Sequence, residues 1–296
     1  MSLISSLSFI INHPLNKQRK FESVIDFTKW QISSRLVPFP IIYNWINNSK
    51  VIIYPGETGL TGNLYCGLHE FLDMAYILHV IYPDDLFVDI GANVGSYTIL
   101  ACQVKGAKGF CFEPVPTTYQ RLIDNLRINN LGEQVQSFNI GLSSKEGELY
   151  FTSDKNCMNH IVLQGEETNN TIKVKVNSLD TVLENELPSV IKIDVEGFET
   201  LVLDGAVKTL SKPSLHSVLM ELGGIGSEYG FDEAEIPLTM KSYGFLPYSY
   251  DPFNRYIFPL EGKNSTSGNT LFIRDANIVQ KKLKSAKSIV INTIKI

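Results

Sequence analysis

The sequence predicts an α/β protein built on a largely parallel sheet with helices on both faces. Three observations carry that prediction. From Asp85 onward, short apolar runs alternate with stretches of helix length. A glycine turn, Gly91 to Gly95, joins the first run to the first helix. An acid, Glu113, ends the next run, 24 residues beyond Asp89.

The elements follow in order. Residues 1 to about 84 lack a repeating pattern, and residues 1–67 are read as an N-terminal extension. Val51 to Tyr54, before Pro55-Gly56, predicts a short strand and turn. Leu68 to Ile81 predicts a helix that Pro83 stops. The strand-like runs are 86–88, 109–112, 135–140, 190–193 and 218–220. The helical stretches are 97–104, 117–129 and 199–210. Between the third and fourth runs, 148–152 and 172–176 alternate with period two, predicting an inserted antiparallel pair with a variable loop between. Residues 244–250 and 270–273 supply two last strands, giving seven in the main sheet.

The last segment, 276–296, is a separate basic tail. From Arg274 to Ile296 there are six basic residues and one acid, a net +5 in a chain of net charge -5, so the rest carries -10. Val279, Leu283, Ala286, Val290 and Ile294 fall on one helical face, which predicts an amphipathic helix over about 277–293. Such a helix either docks on its own domain or makes weak contact with an anionic membrane surface.

Composition bounds the partners. The 296 residues are 44% apolar and 19% charged, which suits a packed globular core. The negative balance gives no pull toward nucleic acid. Four cysteines (66, 102, 111 and 157) without C-x-x-C spacing argue against zinc or thioredoxin-type chemistry. Met1 to Ile11 is apolar but has no basic start or cleavage site, and no run reaches the roughly 18 residues of a membrane span. The expectation is a cytoplasmic protein.

The glycine turn has the physics of a dinucleotide fold. Gly91 permits a sharp turn, Gly95 permits close packing, and the following helix presents its N-terminus to an anionic group. Glu113 is placed to accept both hydroxyls of a ribose. The pattern departs from G-x-G-x-x-G, because Asn93 replaces the middle glycine. Asp89 would repel a pyrophosphate but suits an ammonium group. A ligand with an amino-acid end and an adenosine end fits both acids, and S-adenosylmethionine is such a ligand.

The strings DIGANVGSYT at 89–98, FEP at 112–114, NN at 129–130 and IKIDVEG at 191–197 together resemble the FkbM family of S-adenosylmethionine-dependent methyltransferases. The resemblance covers roughly residues 68–275. It implies the class I methyltransferase fold, a Rossmann-like sheet of seven strands with the last antiparallel, and O-methylation of sugar hydroxyls on a glycan or glycosylated acceptor. The cofactor contacts expected are Asp89, Gly91, Ala92, Asn93, Gly95, Ser96, Thr98, Glu113, Pro114 and Asp194, with Ile140, Gly141 and Leu142 near the adenine.

An alcohol needs a general base or a metal ion to become a nucleophile. Asp194 and Glu196, two apart at the end of a buried run, are the candidates, with His160 in the variable loop as a third. Glu199 is read as compensating a helix N-terminus, and Lys192 as the partner of a nearby acid. His69-Glu70 caps either the cleft or a helix. Glu221 ends the fifth run and, with Asp194 and Glu196, would make an oxygen-rich site suited to Mg²⁺, although no metal is expected. Tyr65, Tyr97, Tyr248 and Tyr250 either stack on sugars or pack in the core. Two other readings remain: a non-catalytic S-adenosylmethionine-binding module attached to glycan assembly, and a nicotinamide oxidoreductase, against which the missing middle glycine argues.

Overall fold

The computed structural model describes residues 3–57, 59–152, 161–162 and 171–296. His160 therefore lies outside the described residues. The core is a sheet of eight strands: β1 (Leu86–Ile90), β2 (Lys108–Phe112), β3 (Val135–Phe138), β4 (Val190–Ile193), β5 (Ser217–Glu221), β6 (Leu246–Asp251), β7 (Tyr256–Pro259) and β8 (Asn269–Ile273). Their order across the sheet is β7-β6-β8-β5-β4-β1-β2-β3. β3, β2, β1, β4 and β5 run parallel, and β8 enters antiparallel between β5 and β6. Strand order reverses beside β1, so the carboxyl ends of β1 and β4 border a crevice. β1 and β4 are buried throughout, which is why they read as continuous apolar runs.

The sheet has one strand more than the seven predicted. β7 forms an edge hairpin with β6, and three of its four residues are exposed. An edge strand with so little buried surface leaves almost no pattern to read. The inserted pair does form, as Gly147–Thr152 against Thr171–Asn177 in a small separate sheet that also holds Gly141–Leu142. The predicted helix at 199–210 is two short ones, Glu199–Asp204 and Val207–Ser211. Gly205 sits at the break, where a Cβ would lie 2.1 Å from the Ser143 carbonyl oxygen.

The N-terminal region is more structured than its pattern suggests. Helices Leu3–Asn12 and Lys20–Leu36 precede a hairpin of Ile41–Asn44 and Lys50–Ile53. The hairpin is stitched to the helix Pro116–Ile128 and the residue after it: Asn125 Oδ1 accepts from Ile52 N at 2.8 Å, and Asn129 bonds both the N–H and the carbonyl of Lys50. Asn125 also donates to the carbonyl of Val94 in the glycine turn. One helix thus ties the extension to the turn.

The tail differs from the single helix expected over 277–293. The helix runs Ala276–Ser285, and the chain then turns back as a hairpin, Val290–Ile291 against Ile294–Lys295. Val279, Leu283, Ile289 and Ile291 are buried. Lys282 pairs with Asp85 at 2.9 Å and accepts from the Tyr82 hydroxyl through its carbonyl. The helical part of the stripe, Val279 and Leu283, therefore faces the protein's own core, whereas Val290 lies in the hairpin and is exposed.

Candidate active site

The turn after β1 is shaped by three left-handed residues: Gly91 (φ 74°), Asn93 (φ 50°) and Gly95 (φ 92°). Asparagine tolerates that region, so its presence in place of the middle glycine keeps the turn. Gly91 is forced by close approach, since a Cβ there would lie 1.7 Å from the Asp194 carbonyl oxygen. At Gly95 a Cβ would meet Leu122 of the helix Pro116–Ile128, so that glycine serves helix packing rather than ligand contact.

Asp89, Gly91, Ala92, Asn93, Ser96, Glu113, Pro114, Ile140, Gly141, Leu142 and Asp194 all line one cleft of about 270 Å³. Thr98 stands behind it and anchors Asp89, whose Oδ2 accepts from Thr98 N at 3.0 Å and Thr98 Oγ1 at 2.6 Å. Asp89 Oδ1 is buried with no hydrogen-bond partner. A buried acceptor left unpaired is costly, and an ammonium group in the cleft would satisfy it. Glu113 is also buried. Its two oxygens accept from Asn93 N at 3.0 Å and Val115 N at 2.9 Å, leaving each a further lone pair. Burial outweighs those two bonds and pushes its carboxyl up to about 7. These donor and acceptor positions fit the amino and ribose groups of S-adenosylmethionine.

On the other wall, Asp194, Glu196 and Glu221 bring carboxylate oxygens within 4.8 Å of one another. They stand at the ends of β4 and β5. Lys192 is buried beneath them, its Nζ 2.6 Å from Asp194 Oδ2 and 4.8 Å from the centre of the Tyr97 ring. Burial opposes the charge on Lys192, but Asp194, Asp89 and Glu70 outweigh it and hold the ammonium protonated. Burial likewise pushes Asp194 up, and Lys192 reverses the effect, so Asp194 stays ionised. Glu221 is raised by burial and by Asp194, with which it shares a hydrogen bond, so it carries the proton of the pair.

Glu196 differs from both. It has a left-handed backbone (φ 53°) just before Gly197 and is half-buried in the cleft. It has no hydrogen-bond or ion-pair partner among the described residues. Burial, Asp194 and Glu199 push its carboxyl up to about 7. Glu199 is buried and accepts from Gly197 N at 3.2 Å, which holds this turn.

Beneath the wall lies a polar network that the sequence reading only partly found. The Tyr97 hydroxyl donates to Glu70 Oε2 at 2.8 Å, so Tyr97 supports Lys192 rather than offering a face to a sugar. Tyr65 and Tyr250 are buried as well, the first against Phe27 and the second against Tyr76 and His79. Asp73 and Asn269 were missed, and they are joined by a 3.0 Å bond from Asn269 Nδ2. The available signal was an acid one helical turn beyond Glu70 in an otherwise apolar helix. Glu70 occupies the cap position of that helix but makes no capping bond, and it lines the cleft with His69.

Residues 89–247 match the methyltransferase FkbM domain, more than half of the chain. The chain belongs to the FkbM methyltransferase family. Its fold is that of the class I methyltransferases, and S-adenosylmethionine is the cofactor that goes with it. Among relatives, the chain is similar to the hexuronic acid methyltransferase AglP of Haloferax volcanii, 33% identical over 151 residues, which are 49% of this chain and 59% of that protein. It is also similar to the methyltransferase sdnD of Sordaria araneosa, 30% identical over 128 residues, 43% of this chain and 49% of that one. The matched segment thus spans about half to three fifths of those two relatives' lengths.

Proposed function

We propose that this protein is an S-adenosylmethionine-dependent O-methyltransferase acting on a sugar hydroxyl of a glycan or glycosylated acceptor. The observation that carries the reading is Glu196, an unpartnered carboxylate raised to about 7, facing the cleft that Asp89 and Glu113 line. A general base works best when its pKa is near the operating pH. The likeness to AglP, a hexuronic acid methyltransferase, supports a sugar acid as acceptor class.

The cofactor supplies a methyl group on a positively charged sulfur, which leaves as a neutral thioether. The Asp89 carboxylate receives the ammonium, and Glu113 accepts the ribose hydroxyls. Ile140 to Leu142, which line the same cleft, would flank the adenine. Glu196 takes the proton from the acceptor hydroxyl as that oxygen forms its bond to the methyl carbon. Asp194, held ionised by Lys192, keeps the floor of the cleft negative. That charge favours Glu196 taking up the proton and favours the positive sulfur over its neutral product. Asp194 is therefore a binding and positioning group, and His160 has no part in this reading.

A second reading makes Asp194, Glu196 and Glu221 ligands of Mg²⁺, since their oxygens are close enough to share an ion. The ammonium of Lys192 and the proton on Glu221 both compete with a cation there. The protein needs no membrane-spanning segment for this work, and no described helix is long and apolar enough to cross a bilayer. A cytoplasmic place, where the methyl donor is made, suits the reading.

The test is transfer of a labelled methyl group to a panel of hexuronosides and neutral glycosides, with and without EDTA. Labelled glycan product that survives EDTA is expected. Loss on EDTA and recovery with Mg²⁺ makes the acids ligands. Tight cofactor binding with no product on any acceptor favours the non-catalytic module.

A further inference from the structure

Helix Lys20–Leu36 carries two apolar faces. One holds Phe27 and Trp30 and is buried. The other places Phe21, Ile32 and Leu36 at i, i+11 and i+15, a stripe turned to solvent, with half-buried Ile25 between them. Phe21 is 75% exposed and Leu36 76%. Just beyond the helix end in the chain, Phe39 and Ile42 are also exposed, by 68% and 63%. Leu3 of the first helix joins the stripe across an apolar groove of about 440 Å³. A cluster of exposed large apolar side chains is a candidate interaction site.

We propose that this N-terminal face docks the protein on an anionic lipid surface. Three features favour that occupant. Residues 1–50 hold six Lys or Arg and two acids, a net +4, while the remaining 246 residues carry -9, so positive charge accompanies the apolar face. On the helix, Lys29 borders the stripe on one side and Arg35 on the other, as an interfacial helix requires. The segment just beyond the helix contains Pro38 and Pro40, which have no N–H to leave unpaired in a boundary of low polarity. The side chains themselves are aliphatic or phenyl. They suit hydrocarbon and offer a protein partner few polar groups to recognise.

The N-terminal region that carries this face also reaches the cleft through its first helix. Phe9, on the first helix, sets its ring 5.1 Å from that of His69, which lines the cleft. Docking would hold the cleft beside a membrane-borne acceptor. The inference does not rest on the proposed acceptor, because its test reads lipid binding and not turnover.

The test is flotation of the full chain with phosphatidylcholine vesicles, with and without phosphatidylglycerol, beside light scattering of the protein alone. We expect binding to the anionic vesicles, weakened by salt, and at least a tenfold loss in Phe39→Ser with Ile42→Ser. Both positions are exposed, and unchanged affinity of that variant for S-adenosylhomocysteine will show that it is folded. A Lys281→Ala, Lys284→Ala variant of the tail should bind as the parent does. The proposal is overturned if the parent fails to float, or if it binds neutral and anionic vesicles equally. It is also overturned if binding depends on the tail lysines and not on Phe39 and Ile42. A stable dimer that those two substitutions dissociate, without lipid binding, assigns the face to a second copy.

Discussion

Glu113 and Glu196 face the same cleft and are both raised to about 7 by burial, yet they are held in opposite ways. Glu113 has each oxygen tied to a backbone N–H. Glu196 has no bonding partner among the described residues and sits on a left-handed backbone. A group that only binds gains from being fixed before its ligand arrives. A group that takes a proton needs accessible lone pairs and a pKa near the working pH. The difference between two chemically identical side chains supports the proposal that one holds the cofactor and the other takes the proton.

The largest expected effect tests what supports the reacting side. Asp194→Asn removes one partner of an ion pair whose Lys192 is buried and leaves the ammonium without its nearest counter-charge. It should destabilise the fold by about 3–5 kcal/mol, seen as a lower denaturation midpoint, and abolish turnover. A stable, active Asp194→Asn protein breaks the account of that wall.

Next is Glu196→Gln. It keeps the size and removes the base, so kcat should fall by roughly 10²–10⁴-fold while the melting temperature and cofactor affinity stay near the parent values. The matching change on the holding side is Glu113→Ala. It removes hydrogen bonds to a charged group worth about 1.5–3 kcal/mol each, so affinity for S-adenosylhomocysteine should fall by at least tenfold in calorimetry. Unchanged affinity sinks the ribose assignment.

The smallest effect concerns pH. Asp73, Glu113, Glu196 and Glu199 are each raised to about 7 when folded. The folded protein therefore holds protons that the unfolded chain releases above its ordinary carboxylate values. The contribution of these four acids is full below about pH 4–5 and lost as pH rises through about 7, while buried His13, His79 and His216, lowered by burial to about 4, 3 and 4, work in the opposite direction. The Glu113 share is isolated by comparison: from about pH 5 to about pH 8 the melting temperature of the cofactor-free Glu113→Gln protein should gain on that of the parent. A difference between the two proteins that does not change with pH contradicts the raised Glu113.

Much of this was legible in the sequence. The parallel strands show as apolar runs because both their faces are buried, and the order of glycine turn, Glu113 and Asp194-Val195-Glu196-Gly197 marks the cleft. The N-terminal helix at Lys20–Leu36 was not legible. Its apolar residues serve two faces, so neither face stands out as one period. The tail was legible only in part: its stripe left docking on the domain and contact with a membrane both open, and the structure buries Val279 and Leu283 and pairs Lys282 with Asp85 but ends the helix at Ser285. Asp73 and Asn269 escaped because their partnership spans 196 residues of chain and depends on where β8 crosses the sheet.

The pH dependence of kcat/KM in the parent and in Glu196→Gln tests the central claim most directly. The account predicts a rate that rises with pH through about 7 in the parent, as Glu196 loses its proton. In the variant that limb should be missing and the rate low throughout, with S-adenosylhomocysteine binding intact. A Glu196→Gln protein that keeps both the parent's rate and its rising limb would place the base elsewhere.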